Sequence, residues 1–265
     1  MKEREQGVLA HALSGGVDSS VAASLLAEEW DRPDVGRRMV CVNHYMWPGC
    51  KGCSPEVIER AEAVSRSLDL PFFLIDMKEV FRTYVIEDFV STYREGKTPN
   101  PCVRCNEHMR FSRFYTGIKN LLIEKNVLGT EETLYFSTGH YVRREKRADG
   151  IFLKRARDKT KDQSYMLYRL KKEMLPYLRF PLGEYRKTEV VETALQLGYS
   201  SASIKESQDI CFIEDKYTDF IYEYTPDPRL NMPGDIVTAT GEMIGKHKGF
   251  INYTIGQRKG LNLSD

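Results

Sequence analysis

The stretch SGGVDSS at residues 14–20 constrains the fold of this chain more than any other part of the sequence. It follows an apolar run at residues 8–13 and precedes a segment, Val17–Trp30, whose apolar residues recur with the period of a helix. A strand that runs through two glycines directly into a helix brings backbone N–H groups and a helix N-terminus to one point, which attracts phosphate. The stretch therefore predicts a phosphate-binding loop at the first strand-to-helix turn.

This loop lacks the lysine of a Walker loop, and it does not match the dinucleotide fingerprint G-x-G-x-x-G. Asp18 stands in the first helical turn instead, and a carboxylate at an anion site needs a bridging cation, so we expect a magnesium-bound polyphosphate. The alternative is an ordinary helix N-terminus. The stretch as a whole resembles the pyrophosphate-binding loop of the ATP pyrophosphatases, which cleave ATP between its α and β phosphates. The resemblance implies adenylation of a substrate oxygen without naming the substrate.

The first part of the chain alternates strand-like and helix-like segments, which predicts an α/β fold with a doubly wound parallel sheet. The predicted strands are residues 8–13, 39–42, 72–75 and 133–137, and the predicted helices are residues 17–30, 55–68, 81–94, 106–125 and 188–197. Later residues, such as 236–238 and 250–254, read as β-hairpin strands. We therefore expect an ATP-pyrophosphatase catalytic domain at 1–205 and a small β-rich domain at 206–265.

The overall composition leaves the partner open, because the net charge of the chain is only +1. Neither an apolar leader nor a membrane-length apolar segment is present, so the sequence predicts a cytoplasmic protein without a membrane partner. The chain has six cysteines, four of which form two C-x-x-C pairs. In a reducing compartment such pairs indicate metal or redox chemistry more often than structural disulfides.

Three of the cysteines are candidates for chemistry. Cys102 and Cys105 stand at the start of the helix predicted at residues 106–125, where a helix N-terminus lowers a thiol pKa and favours the reactive thiolate. Cys211 lies in a short apolar, strand-like run, and the alternative for it is a buried structural cysteine.

Five sequence blocks carry a closer resemblance. They are TPNPCVRCN at 98–106, STGHY at 137–141, KDQSY at 161–165, ICFI at 210–213 and YTIGQRKGL at 253–261. Their order resembles that of the bacterial-type tRNA-specific 2-thiouridylases. The resemblance implies ATP-dependent 2-thiolation of the wobble uridine in tRNA: ATP adenylates the C2 oxygen, a cysteine persulfide attacks C2, and AMP leaves. By position, Cys211 corresponds to the persulfide cysteine and Cys105 to its partner, and Asp18 joins them as a catalytic residue.

The resemblance also implies binding residues. The positions matching ATP contacts are Ala12, Leu13, Ser14, Gly15, Gly16, Val17, Asp18, Ser19, Gly139 and His44, the last where the family usually has methionine. The positions matching tRNA contacts are Asn100, Pro101, Cys102, His140, Lys161, Asp162 and Gln163. Tyr141 or Tyr165 could stack on a splayed base. A basic cluster between Arg143 and Lys161 would meet tRNA phosphates.

The sequence departs from the family pattern at Cys102, where well-known members have aspartate. Cys102, Cys105 and Cys211 together could hold a [4Fe–4S] cluster with one iron open to a sulfur ligand, as in cluster-dependent tRNA thiolases, so the persulfide and cluster routes both stay open. The sulfur donor would be a cysteine desulfurase, a relay protein or inorganic sulfide. For Cys50 and Cys53 we expect a mobile surface loop in preference to a zinc site or a sulfur relay.

Two further alternatives remain at this stage. Thiouridylases usually continue beyond the YTIGQRKGL block into a β-barrel that helps to hold tRNA, and we expect that barrel to be absent here, in a truncated or a minimal form. The function could instead be adenylation of another substrate, or that of a non-catalytic module that binds tRNA or carries sulfur. Pyrophosphate release and thiouridine formation separate these functions.

Overall fold

A parallel five-stranded sheet forms the centre of the protein. The computed structural model describes residues 6–32, 34, 36–50, 52–203, 210–261 and 263. Its strands are β1 (Gly7–Ala12), β2 (Arg37–Tyr45), β3 (Phe72–Asp76), β4 (Leu134–Thr138), β5 (Val142–Arg147), β6 (Gly150–Arg155), β7 (Leu178–Arg179), β8 (Gly234–Val237) and β9 (Met243–His247). The central sheet has the order β3-β2-β1-β4-β7, and every pair in it is parallel. The predicted doubly wound α/β fold is confirmed.

Helices cover both faces of this sheet. They are α1 (Val17–Trp30), α2 (Pro55–Ser67), α3 (Lys78–Phe81), α4 (Glu87–Arg94), α5 (Pro101–Arg104), α6 (Tyr115–Glu124), α7 (Lys187–Gln196) and α8 (Tyr217–Tyr224). Alternate residues of β1 point to opposite faces of the sheet. Leu9 packs in a cluster with α1 and α2. Val8 and Ala10 pack in another cluster with α6 and the segments before it. This two-residue alternation is what a strand buried on both faces requires.

Two segments of π-helix interrupt the helices on the second face. Arg82–Ile86 joins α3 to α4, and Cys105–Phe114 joins α5 to α6. The helices predicted at 81–94 and 106–125 are therefore present, but part of each is a π-helix instead of an α-helix. Short π segments often mark functional sites, and the second segment supplies Cys105 and Arg110 to the candidate site described below.

The hairpin of β5 and β6 was not predicted from the sequence. The two strands pair antiparallel from Val142 opposite Arg155 to Arg147 opposite Gly150. Much of the predicted basic cluster lies on this hairpin, and several of its charges already have protein partners. Arg147 and Lys154 both pair with Glu145, for example. These exposed pairs contribute little stability and break easily, but they lower the net positive charge of the surface.

The later part of the chain packs against the parallel-sheet unit. The aromatic rings of Tyr93 and Tyr217 stack at 4.8 Å, and Ile251 is fully buried in the same core cluster as β1. The hairpin predicted around residues 236–238 is confirmed as β8 and β9. The strand predicted at 250–254 is wrong: Phe250–Asn252 forms a 3₁₀ turn, whose Ile251 carbonyl accepts a hydrogen bond from the Tyr217 hydroxyl.

The prediction of a strand at 210–213 is also wrong, because the backbone turns at Cys211 and Phe212. Phe212 instead packs edge-on against Phe81 and Phe89. The predicted domain boundary between 205 and 206 lies outside the described residues and stays a prediction. Among the helices that the structure describes, none combines the length and apolar character needed to cross a membrane.

Candidate active site

The predicted phosphate loop lies where the order of the sheet reverses. From β1 the chain proceeds outward through β2 and β3 on one side, and β4 then pairs with the other side of β1. In open α/β sheets, ligands bind beyond the carboxyl ends of the strands at such a switch point. The loop between β1 and α1 therefore stands at the expected position for a ligand site.

Two glycines are required by the packing of this loop. Gly15 has φ +71°, and a Cβ built on it would lie 2.6 Å from the Val57 carbonyl oxygen. Gly139, just after β4, packs against the first turn of α1, where a Cβ would lie 3.0 Å from the Ser19 backbone nitrogen. A Cβ at Gly15 would clash with backbone, and one at Gly139 would force its neighbours to shift, so the two glycines let the helix N-terminus pack next to the end of β4.

Internal hydrogen bonds define the shape of the loop. The Ser19 hydroxyl accepts a bond from the Ser14 backbone N–H at 3.1 Å and lies 2.9 Å from the Ser14 hydroxyl. Beneath it, the fully buried His11 ring bridges the Ser19 carbonyl at 2.9 Å and the Ser137 hydroxyl at 3.1 Å. Burial lowers the pKa of His11 to about 4, so the ring is neutral at pH 7. His11 thus fastens α1 to β1 and β4.

The lysine that the loop lacks comes from the start of α7. Lys187 donates a 2.7 Å hydrogen bond and ion pair to Asp18 Oδ1, and the Tyr141 hydroxyl donates to the same oxygen at 2.7 Å. Lys187 is only 16% exposed, so the pair is poorly screened by solvent. The charge of Asp18 beside an anion site is therefore balanced by a protein cation, which sequence reasoning missed because 169 residues separate the two partners.

A cavity of about 170 Å³ opens above the loop, and we call it the loop cavity. Nine of the predicted site residues line it: Ala12, Leu13, Ser14, Asp18, Ser19, His44, Gly139, His140 and Gln163. Gly15, Gly16 and Val17 shape the loop backbone without lining the cavity. The structure therefore brings together the ends of β1, β2 and β4 with the N-terminus of α1.

Several polar groups of the loop cavity have no hydrogen-bond partner in the described part of the chain. They are Asn43 Nδ2, His44 Nε2 and Arg110 Nε, all of them buried. Burial, reinforced by the nearby Arg110 charge, lowers the pKa of His44 to about 3. A buried polar atom without a partner is costly, and a ligand rich in hydrogen-bonding groups, such as a purine nucleotide, would satisfy these atoms.

A second cavity of about 190 Å³, the thiol cavity, holds the three cysteines singled out from the sequence. Cys102, Cys105 and Cys211 line it, so that Cys211 meets two cysteines that lie more than 100 residues earlier in the chain. Arg110 and His140 line both cavities. The two cavities therefore share part of their wall.

The expected lowering of the Cys105 thiol pKa by the helix N-terminus is wrong. Burial raises the pKa of Cys105 to about 11, and the positive charge of Arg110 opposes this only in part. Cys105 begins the π segment one turn inside the helical stretch, so desolvation outweighs the helix dipole. Arg110, another residue that sequence reasoning missed, is the group that favours a thiolate here.

Cys50 and Cys53 do not lie in the mobile surface loop that we expected. They are only 3% and 1% exposed and belong to the main core cluster. Phe212 is buried in the same cluster, and Trp47 packs against it. The neighbouring Cys211 thiol is the main cause that raises the pKa of Cys50 to about 11, and the Cys53 thiol opposes it.

Comparisons with known proteins show the family of this chain. Residues 8–215 match the family model described as the tRNA methyl transferase HUP domain, and residues 218–265 match the tRNA methyl transferase PRC-barrel domain. The tRNA-specific 2-thiouridylase MnmA of Clostridium beijerinckii is 38% identical over 263 residues, which cover 95% of this chain and 68% of that protein. The chain belongs to this thiouridylase family.

Other similar proteins extend the comparison. The tRNA-specific 2-thiouridylase MnmA of Zymomonas mobilis is 42% identical over 255 residues, covering 95% of this chain and 65% of that protein. Among solved structures, the U34-tRNA thiolase NcsA of Methanococcus maripaludis with its [4Fe-4S] cluster has a TM-score of 0.45 and 17% identity, covering 84% of this chain and 66% of that one.

The remaining predicted positions of this thiouridylase family member have mixed surroundings. The Asn100 side chain caps α5 by accepting a bond from the Val103 N–H, and Pro101 lines the thiol cavity. Asp162 accepts a 2.9 Å bond from the Ala156 N–H and closes a turn beside Lys161. Gln163 accepts a bond from the Tyr141 N–H, which directs it toward the loop cavity.

Stacking of a base on Tyr141 is excluded, because its ring is 1% exposed and its hydroxyl binds Asp18. Tyr165 is 55% exposed, and its predicted stacking role stays a prediction. Among the described residues, no three cysteine, histidine or acidic side chains converge closely enough to hold a metal ion. The cluster ligands named from the sequence therefore also stay a prediction.

Proposed function

We propose that this protein catalyses the ATP-dependent 2-thiolation of the wobble uridine in tRNA. The observation that carries the proposal is the shared wall: Arg110 and His140 line both the loop cavity and the thiol cavity. Adenylation takes place on the C2 oxygen and sulfur attacks the carbon that carries it, so their two sites must adjoin. Membership of the thiouridylase family supports this choice over adenylation of another substrate.

The ATP half of the reaction is assigned to the loop cavity. The backbone around Gly15 and Gly16 and the N-terminus of α1 would hold the pyrophosphate, which leaves as AMP is transferred to the C2 oxygen of uridine. Asp18 would bind Mg²⁺ with the phosphates, while Lys187 supplies a second positive charge. The orphaned polar atoms of Asn43 and His44 would meet the base.

The sulfur half is assigned to the thiol cavity, with Cys211 as the persulfide carrier. The terminal persulfide sulfur attacks C2 of the adenylated uridine, the C2–O bond breaks, and AMP leaves with the oxygen. A second thiol then attacks the Cys211 sulfur, so that the S–S bond breaks and the transferred sulfur stays on the uridine. Arg110 would stabilise negative charge at both steps.

A [4Fe–4S] cluster is the second candidate for the sulfur half. Cys102, Cys105 and Cys211 line one cavity, and three thiolates would leave the fourth iron open. As they stand, however, no three metal-binding side chains of the described residues converge closely enough to hold an ion. Bound there, the cluster would supply an iron site for sulfide. Iron and sulfide analysis of protein purified without oxygen separates the two routes, because a colourless, iron-free protein with full activity excludes the cluster.

The proposal also includes a tRNA partner, a source of sulfur and the cytoplasm as the compartment. The tRNA would be bound by Asn100, Pro101, Cys102, His140, Lys161, Asp162 and Gln163, and by the basic hairpin. A cysteine desulfurase, a relay protein or inorganic sulfide would provide sulfur. We place the reaction in the cytoplasm, where tRNA is found and free thiols persist.

The test is a reaction of the protein with ATP, Mg²⁺, tRNA and a cysteine desulfurase with cysteine. We expect pyrophosphate, AMP and 2-thiouridine in equal amounts, measured by enzymatic phosphate assay and nucleoside mass spectrometry. Pyrophosphate without thiouridine would indicate another adenylated substrate. Neither product, with tRNA still bound, would indicate a non-catalytic module.

A further inference from the structure

A third cavity, of about 260 Å³, lies between helix α2 and the turn that follows α7, and we call it the α2 cavity. Residues of α2 between positions 60 and 67 form one wall, and the turn at residues 197–201 forms another. Gly15 of the phosphate loop also lines this cavity, whereas its neighbour Ser14 lines the loop cavity. A Cβ built on Gly15 would lie 3.4 Å from Arg60 Cβ. The α2 cavity is therefore a separate space that adjoins the phosphate loop.

Tyr199 fixes the turn after α7 against helix α1. The Tyr199 hydroxyl lies 2.6 Å from the Ser24 hydroxyl of α1, and the Tyr199 backbone N–H donates a 3.0 Å hydrogen bond to the Ala194 carbonyl. The Tyr199 ring also packs against two core clusters that contain residues of α1. This wall of the α2 cavity therefore has a fixed position without a ligand, and preorganised walls favour binding.

Two buried polar atoms of the α2 cavity have no hydrogen-bond partner in the described part of the chain. They are Arg60 Nε and Ser201 Oγ, and the whole Ser201 residue is only 4% exposed. Of the described residues that line the cavity, Arg60 alone is charged. Glu56, one helical turn before Arg60, does not line the cavity, and its carboxylate accepts a 2.7 Å bond from the Ser54 hydroxyl. Because a buried donor without an acceptor is costly, the cavity favours an anion with several oxygens.

We propose that the α2 cavity binds a phosphate group. Arg60 Nε and the Ser201 hydroxyl would each donate a hydrogen bond to a phosphate oxygen, and the guanidinium would balance the negative charge. The choice of phosphate over other anions rests on the proposed function, because ATP, pyrophosphate and tRNA all bring phosphate to the loop that contains Gly15. Free pyrophosphate and the tRNA backbone present the same oxygens, and two measurements separate these sources.

The first measurement is equilibrium dialysis of labelled pyrophosphate against protein saturated with α,β-methylene-ATP and Mg²⁺, which occupy the loop cavity. If free pyrophosphate is the ligand, the unchanged protein binds it at one further site. Arg60→Gln, which removes a charged donor, should weaken this binding roughly tenfold or more, and Ser201→Ala, which removes a neutral donor, about threefold. Arg66→Gln is the matched control, because Arg66 is an exposed arginine of the same helix, and it should bind as the unchanged protein does.

The second measurement is the affinity of the same four proteins for tRNA across a range of salt concentrations. If the tRNA backbone supplies the phosphate, Arg60→Gln should reduce the slope of log affinity against log salt by about 1. Ser201→Ala should then lower the affinity about threefold without changing that slope, and Arg66→Gln should change neither quantity. If free pyrophosphate is the ligand, all four proteins bind tRNA equally.

The phosphate site is overturned if Arg60→Gln and Ser201→Ala bind both pyrophosphate and tRNA as Arg66→Gln does. Neither measurement needs turnover, so that result would leave the proposed function intact. If α,β-methylene-ATP itself did not bind, the nucleotide assignment of the loop cavity would be wrong instead, and the variants would be compared without it. Ser201→Ala removes a single side-chain oxygen, so it keeps the test decisive even if Arg60→Gln fails to fold.

Discussion

Replacement of Lys187 by methionine tests the assignment of the phosphate loop. The Nζ atom lies 2.7 Å from Asp18 Oδ1 at the mouth of the loop cavity, and methionine keeps much of the side-chain volume without the charge. A unit charge about 4 Å from a phosphate oxygen interacts with about 4 kcal/mol at an effective dielectric constant near 20. Residual solvent contact and bound Mg²⁺ reduce this, so we take about 2 kcal/mol as the loss in the transition state.

A loss of about 2 kcal/mol corresponds to roughly a 30-fold decrease in kcat/KM for ATP. The assay is pyrophosphate release at saturating tRNA across a range of ATP concentrations, with tRNA affinity measured separately and expected to be unchanged. Lys172→Met, which removes an exposed lysine from a 3₁₀ turn, is the control for the loss of one positive charge. If Lys187→Met kept kcat/KM within about twofold of the unchanged protein, the reasoning would be refuted.

Three further predictions follow from the site. Gly15→Ala should lower the free energy of unfolding in urea by roughly 1–3 kcal/mol more than Gly96→Ala does, because both glycines have positive φ but only a Gly15 Cβ meets backbone; equal losses would show that no clash exists. Burial lowers the pKa of His11 in the fold to about 4, so its neutral form contributes fully to the free energy of unfolding above about pH 6.5. As the pH falls from about 6.5 toward 4, the unfolded chain binds a proton that the folded protein does not, and the free energy of unfolding decreases by about 3 kcal/mol. The His11→Asn variant should therefore show a shallower acid-side decrease of stability, and an unchanged slope would contradict this. Cys211→Ser should still release pyrophosphate but form no 2-thiouridine, whereas thiouridine formation by this variant would remove Cys211 from the mechanism.

Sequence reasoning found the parts of the site whose cause is local. The loop around Gly15 could be predicted because a strand, two glycines and a helix are contiguous, and the parallel sheet could be predicted from the alternation of segments. Ser14, His44 and Gly139 lie close together because they stand near the ends of β1, β2 and β4, and the carboxyl ends of parallel strands meet at one edge of the sheet.

The residues that were missed depend on contacts between distant parts of the chain. Lys187 reaches Asp18 only because α7 begins beside the loop, and no spacing rule connects residues so far apart. Arg110 reaches both cavities from a π segment, which periodicity analysis treats as ordinary helix. Cys50 was placed on the surface because glycine and proline surround it, whereas it is buried in a core cluster that includes Phe212 from much later in the chain. The β5–β6 hairpin was missed because its many charged residues obscure the alternation of apolar and polar residues that indicates a strand.

The central claim is that adenylation and sulfur transfer occur at one tRNA base across the wall formed by Arg110 and His140. The most direct measurement is nucleoside mass spectrometry of tRNA after reaction with ATP and a sulfur donor, combined with pyrophosphate counting in the same sample. We predict 2-thiouridine at the wobble position, with one pyrophosphate for each sulfur transferred. Pyrophosphate released with tRNA that contains no 2-thiouridine would contradict the claim.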